Sequence, residues 1–270
     1  MIELTQELIN KGLKELRQKN WSAALAYFQK ATEKNPDNAE AHFNLGIAYS
    51  ILGRYEDAVE AFEQVIRIKP DYALAHCKLG FAYFMLYRNQ EAIESFKQAI
   101  RIEPDYAEAH NNLGNVYSCL GRYEDAVESY KQNIRINPDY AEAHYNLGVA
   151  YDNLGRCKDA IESFKQAIRI KPDYAEAHYK LGSAYYVLGC YQDAIDAFKQ
   201  AIRIKPDYAE AHYTLGSAYL RTGDKGSALD EHKILKTLDK KMAKEWQKNN
   251  KGIVKELFKL INKWVFPNRK

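Results

Sequence analysis

Six prolines, Pro36, Pro70, Pro104, Pro138, Pro172 and Pro206, stand 34 residues apart without exception. A fixed interval of this size marks a chain built from stacked copies of one unit that cannot bury its apolar face alone. Other positions keep step. Gly46, Gly80, Gly114, Gly148, Gly182 and Gly216 share the interval, and so do the leucines that precede each of them. Tyr49, Tyr83, Tyr117, Tyr151, Tyr185 and Tyr219 follow three residues after the glycines. The alanine column, from Ala24 through Ala58, Ala92, Ala126, Ala160 and Ala194 to Ala228, carries the period to seven copies.

Within one period the apolar spacing is helical. In residues 141–174, Ala141, His144, Leu147, Gly148, Tyr151 and Leu154 recur at three and four residues, one face of an amphipathic helix. Gly155 supplies the left-handed position that ends it. A second helix carries Ala160, Ile161, Phe164, Ala167 and Ile168 on one side, and Pro172 stops it. Gly148 and Ala160 are expected where the two helices come closest, with Phe164 filling space toward the neighbouring unit. Asp173 and Glu176 have the spacing of a capping box for the next helix. The same pair stands at Asp37/Glu40, Asp105/Glu108, Asp139/Glu142 and Asp207/Glu210, whereas Leu74 breaks it after Asp71.

Leu-Gly, a Tyr three residues on, then Ala, Phe, Ala and Pro in that order resembles the tetratricopeptide repeat pattern over roughly residues 5–242. The units are 5–38, 39–72, 73–106, 107–140, 141–174, 175–208 and 209–242. The first is degenerate, with Lys11-Gly12 for Leu-Gly and Glu15 for the Tyr. The last departs late, with His232 for the Phe and Lys240 for the Pro. Inside the array Tyr87 replaces the turn Gly, and Asn133 replaces a small apolar residue. The fold implied is all-α: a right-handed α-solenoid of antiparallel helix pairs, whose first helices line a concave groove that takes an extended peptide or a partner's helix. Residues 1–242 form the array in this reading, and 243–270 a basic amphipathic helix.

Charge divides along the same line. Residues 236–270 carry eleven Lys or Arg against three acids, a net of +8, while the whole chain stands at only +3. The apolar residues Ile253, Leu257, Leu260, Ile261 and Trp264 alternate with Lys255, Lys259 and Lys263. A cap over the last repeat is the first reading of this segment, since an array's end needs covering. A membrane surface held through residues 253–266, or a docking or dimer helix, are its rivals. No 20-residue apolar run and no signal-peptide pattern is present, and the four cysteines lack metal spacing, so a cytoplasmic location is expected.

No nucleotide-loop, nucleophile-elbow or zinc-protease motif occurs, so no catalysis, cofactor or metal is expected. His42, His76, His110, His144, His178 and His212 recur at 34 residues, where the family often has Trp. They are read as packing residues, because stacked helices about 8–10 Å apart do not bring neighbouring copies to one ion. The candidate peptide-binding residues lie on the first helices. Asn44, Asn112 and Asn146 precede the Leu-Gly pair. In relatives similar to the array of O-linked N-acetylglucosamine transferases, a ladder of such Asn holds a ligand's backbone through the paired donor and acceptor of the amide. Lys78, Lys180 and Thr214 interrupt the ladder here, which leaves ordinary solvated polar positions as the alternative. Around them Phe81, Phe84, Asn115, Tyr145, Tyr179, Tyr186 and Tyr213 complete the expected lining, apolar in the first half and tyrosine-rich in the second.

The carboxylate clamp of chaperone-binding members is absent, because no unit supplies its leading Lys together with its Asn. The function expected is a protein-interaction adaptor with a protein or peptide ligand and no nucleic acid, as a monomer or weak oligomer. A self-assembling scaffold, or a membrane-surface adaptor, is the alternative.

Overall fold

The computed structural model describes residues 2–250, and all regular structure there is α-helical. The helices are α1 (Ile2–Arg17), α2 (Trp21–Lys34), α3 (Ala39–Ile51), α4 (Tyr55–Ile68), α5 (Ala73–Met85), α6 (Asn89–Ile102), α7 (Ala107–Cys119) and α8 (Tyr123–Ile136) in one compact unit, Met1–Pro138. A second unit, Asp139–Lys270, holds α9 (Ala141–Asn153), α10 (Cys157–Ile170), α11 (Ala175–Val187), α12 (Tyr191–Ile204), α13 (Ala209–Thr222), α14 (Lys225–Leu238) and α15 (Lys240–Asn249). Within each unit, odd and even helices pair, and each pair stacks on the next. Helix α15 crosses the 242/243 boundary drawn on sequence. Residues 253–266 lie outside the described residues.

The turn inside each pair follows the expected chemistry. Gly53, Gly121, Gly155, Gly189 and Gly223 have φ between +70° and +84°. After α9, Arg156 N–H donates to the Tyr151 carbonyl at 2.9 Å and Gly155 N–H to Asp152 at 3.0 Å, which closes the helix end. Tyr87 holds the same left-handed geometry, φ +59°, with its side chain 89% exposed. A side chain in that region costs about 1–2 kcal/mol and gains no contact here. Tyr87→Gly is therefore expected to stabilise the fold by about 1 kcal/mol. Chemical denaturation checks this; an unchanged or lower midpoint would count against the strain.

The connection between pairs departs from expectation. Helices α5, α7, α9, α11 and α13 are capped by Tyr72, Tyr106, Tyr140, Tyr174 and Tyr208, none with a side-chain cap bond. The Asp of the supposed capping box lies one residue too early, within a turn. In Lys171-Pro-Asp-Tyr174 the Tyr174 N–H donates to the Lys171 carbonyl at 3.2 Å. Only the Asn38 variant caps α3, accepting from Ala41 N–H at 2.8 Å. The histidines serve this junction. His42, His76, His110, His178 and His212 each place Nε2 within 2.8–3.0 Å of the carbonyl of Pro36, Pro70, Pro104, Pro172 and Pro206. A carbonyl only accepts, so Nε2 carries the proton in these five copies.

The glycines inside the helices make room for a ring. A Cβ added at Gly148 would lie 2.6 Å from Phe164 Cε1, and Gly46, Gly80 and Gly182 meet Phe62, Phe96 and Phe198 in the same way. These phenylalanines are fully buried. The expected close approach is thus between a glycine and the Phe of its own pair. At Gly216, with His232 in the Phe column, the nearest atom is Nε1 of Trp246, at 3.3 Å. Trp246 comes from α15, is 1% exposed and stacks on His232 at 4.8 Å between ring centroids. The tryptophan fills the space that the missing Phe leaves.

The fourth pair, α7 and α8, has a polar core. Tyr130 takes the Phe position, and its hydroxyl donates to Asn115 Oδ1 at 2.8 Å. Asn133, 1% exposed, donates to the Ala107 carbonyl at 2.7 Å. The Oδ1 atoms of Asn133 and of buried Asn111 have no hydrogen-bond partner.

Candidate groove on the odd-numbered helices

The odd-numbered helices carry one hollow in each unit. In the first, a cavity of about 440 Å³ is lined by Ile47, Ser50 and Ile51 of α3, Tyr55 of α4, Lys78 and Phe81 of α5, and Glu108 and Asn112 of α7. Ile51 and Phe81 are 47% and 37% exposed, so the hollow presents open apolar surface. Lys78 Nζ pairs with Glu108 at 2.6 Å along one edge. Burial pushes the neighbouring Cys77 thiol up to about 11. It is an inert packing group at neutral pH.

In the second unit a cavity of about 640 Å³ is lined by Tyr186 of α11, Tyr213, Thr214, Ser217, Leu220 and Arg221 of α13, and Asn249 and Asn250 at the end of α15. Arg221 Nε donates to the Tyr186 hydroxyl at 3.3 Å, and Asn249 Nδ2 to the Tyr213 hydroxyl at 3.1 Å.

Four of the ten sequence-derived candidates therefore line a hollow: Phe81 and Asn112 in the first, Tyr186 and Tyr213 in the second. The others lie elsewhere. Tyr145 stacks on Tyr174 and Phe164 at 5.0 and 5.9 Å, and Tyr179 on Tyr208 and Phe198 at 5.0 and 5.8 Å. These rings join one pair to the next, and burial raises both phenols above their usual range. Asn115 is turned to Tyr130, as described. Asn44 donates to the Glu40 carbonyl of its own helix at 2.9 Å. Asn146 and Phe84 are half-buried on α9 and α5. Two of the lining residues that sequence reasoning passed over, Ile51 and Arg221, belong to one column. It runs through 51, 85, 119, 153, 187 and 221, one helical turn beyond Ile47 and Ser217, so the 34-residue frame already contained it.

Among the described residues no helix is long and apolar enough to cross a membrane, and no group of three or more His, Cys, Asp or Glu could hold a metal ion.

Comparison with known proteins places this arrangement. A tetratricopeptide repeat family pattern matches residues 9–73, and a TPR repeat pattern matches 88–118, 119–155, 153–189 and 183–223. The uncharacterized protein MJ0572 of Methanocaldococcus jannaschii is 41% identical over 59 residues, 22% of this chain and 69% of that protein. The crystal structure of MamA is similar at 30% identity and a TM-score of 0.60, over 65% of this chain and 96% of MamA. The C-terminal part of a TPR repeat-containing protein from Cytophaga hutchinsonii shares the fold at 17% identity, with a TM-score of 0.74 over 88% of this chain and 98% of that one.

Proposed function

The chain belongs to the tetratricopeptide repeat family, and on that premise we propose that it is a non-catalytic adaptor holding a peptide or protein segment against its odd-numbered helices. The observation that carries this reading is the open apolar floor of the first hollow, Ile47, Ile51 and Phe81, beside Asn112 and the Lys78–Glu108 pair. Burying an exposed aromatic and two isoleucines gives a ligand its affinity, and the amide and ion pair give it orientation.

The reading is tested with the full chain and a pool of random ten-residue peptides labelled with fluorescein. Peptides retained by the wild type are expected to bind Phe81→Ala about tenfold more weakly, the effect of losing one anchoring ring. Asn112→Ala is expected to weaken binding about fivefold while thermal stability stays nearly unchanged. Retained peptides that bind all variants as tightly as the wild type would place the ligand elsewhere.

A further inference from the structure

Two buried histidines in the last pair are held in opposite ways. His212 on α13, 4% exposed, places Nε2 at the Pro206 carbonyl and Nδ1 at the Glu231 carboxylate of α14. Both partners only accept, so both ring nitrogens carry protons and the ring is a cation beside an anion. His232, the residue after Glu231, is 6% exposed and has no hydrogen-bond partner at either nitrogen. Its ring lies 20° from parallel on the buried Trp246 of α15, whose indole N–H is also unpartnered. The charged groups nearby are committed elsewhere. Tyr219 of α13 lies under Lys199, and Asp230 of α14 pairs with Lys233. Asp239 caps α15 through the N–H groups of Lys241 and Met242. The packed face of α15 is Met242, Ala243 and Trp246, while its Lys240, Lys241, Lys244, Glu245 and Lys248 are exposed. A buried ring in this setting is tolerated only when neutral, because a cation with no acid or acceptor to meet it is costly to bury.

We propose that the stack of His232 on Trp246 is an acid-sensitive catch: a proton on His232 releases α15, while α13 and α14 stay joined through His212 and Glu231. Burial and the like charge of Lys236 both push His232 below its ordinary value. The neutral ring therefore gives its full contribution above about pH 6.5, the ordinary histidine value, and that contribution falls away as pH drops below it. His212 runs the other way. Burial opposes its charge, but Glu231 and the Pro206 carbonyl prevail and raise it. Its pairing is complete below about pH 6.5 and is lost only as pH rises through the raised value. Mild acid thus loosens α15 and leaves the neighbouring pair closed. Asn249 leaves with the helix and gives up its bond to the Tyr213 hydroxyl, so the second hollow loses a wall in the same step.

Hydrogen exchange of the full chain, followed by mass spectrometry and corrected for the intrinsic pH dependence of amide exchange, reads the opening directly. Protection of α15 is expected to fall by up to about tenfold per pH unit below about pH 6.5, the slope set by one proton. Peptides from α13 and α14 should keep their protection, as should α10, which holds no histidine. His232→Phe retains a stacking ring that cannot titrate, and its α15 protection should not change with pH. His232→Gln gives the same result by a smaller neutral side chain if the larger ring crowds Trp246. Equal α15 protection in the wild type across this range would overturn the catch. So would the same fall in both variants, or a fall shared by α13 and α14.

Discussion

Replacing Trp246 by Ala is expected to lower the unfolding free energy by about 3–5 kcal/mol, the range for truncating a fully buried aromatic. The loss should fall first on the pair α13 and α14. Trp246 occupies the room above Gly216 and stacks on His232, so its removal opens a cavity on two sides. Its indole N–H has no partner, which makes the ring's contribution one of packing. Trp246→Phe should accordingly recover most of the stability. Thermal melts followed by circular dichroism measure the difference; a loss under about 1 kcal/mol would mean that the seventh pair closes without α15.

Gly148→Val should cost about 3 kcal/mol, at the upper end for forcing extra atoms into a closed core. Helix propensity pulls the other way, since glycine in a helix interior is about 1 kcal/mol worse than alanine. Packing wins because the new Cβ would sit 2.6 Å from a ring that is itself completely buried. The control is Gly216→Ala. There the nearest atom is 3.3 Å away, and propensity and crowding should nearly cancel. Equal denaturation midpoints for Gly148→Val and the wild type would show that the Phe164 ring can move aside.

The period told most of the fold. Proline, glycine and alanine columns locate every helix of the array, and Gly155 ends α9 as its sequence context implies. The capping box failed because a local rule was applied where a junction between pairs decides. Asp173 looks like an N-cap by its distance from Glu176. Tyr174 lies against Tyr145, and the helix starts one residue later, at Ala175. Tyr145 and Tyr179, expected in the groove by residue type, also make ring contacts across the seams between pairs. Trp246 was legible in principle. The column of His42 to His212 runs on by 34 residues to 246, where the family's usual tryptophan reappears after the rest of the pattern has lapsed.

The groove was less legible because its floor depends on exposure, which columns of residue types do not reveal. Ile51 and Arg221 share one position in the frame and line hollows of opposite character.

The fourth pair carries a consequence for how the molecule yields. In a stack of repeats each pair is held by its own interior and its neighbours, so the weakest interior sets where the stack opens. Two amide oxygens sealed without partners make α7 and α8 that place in the first unit. Asn112 stands on α7 at the edge of the apolar hollow. Under the proposed reading, the wall that would meet a ligand is carried by this pair, and a bound peptide is expected to hold α7 and α8 more tightly.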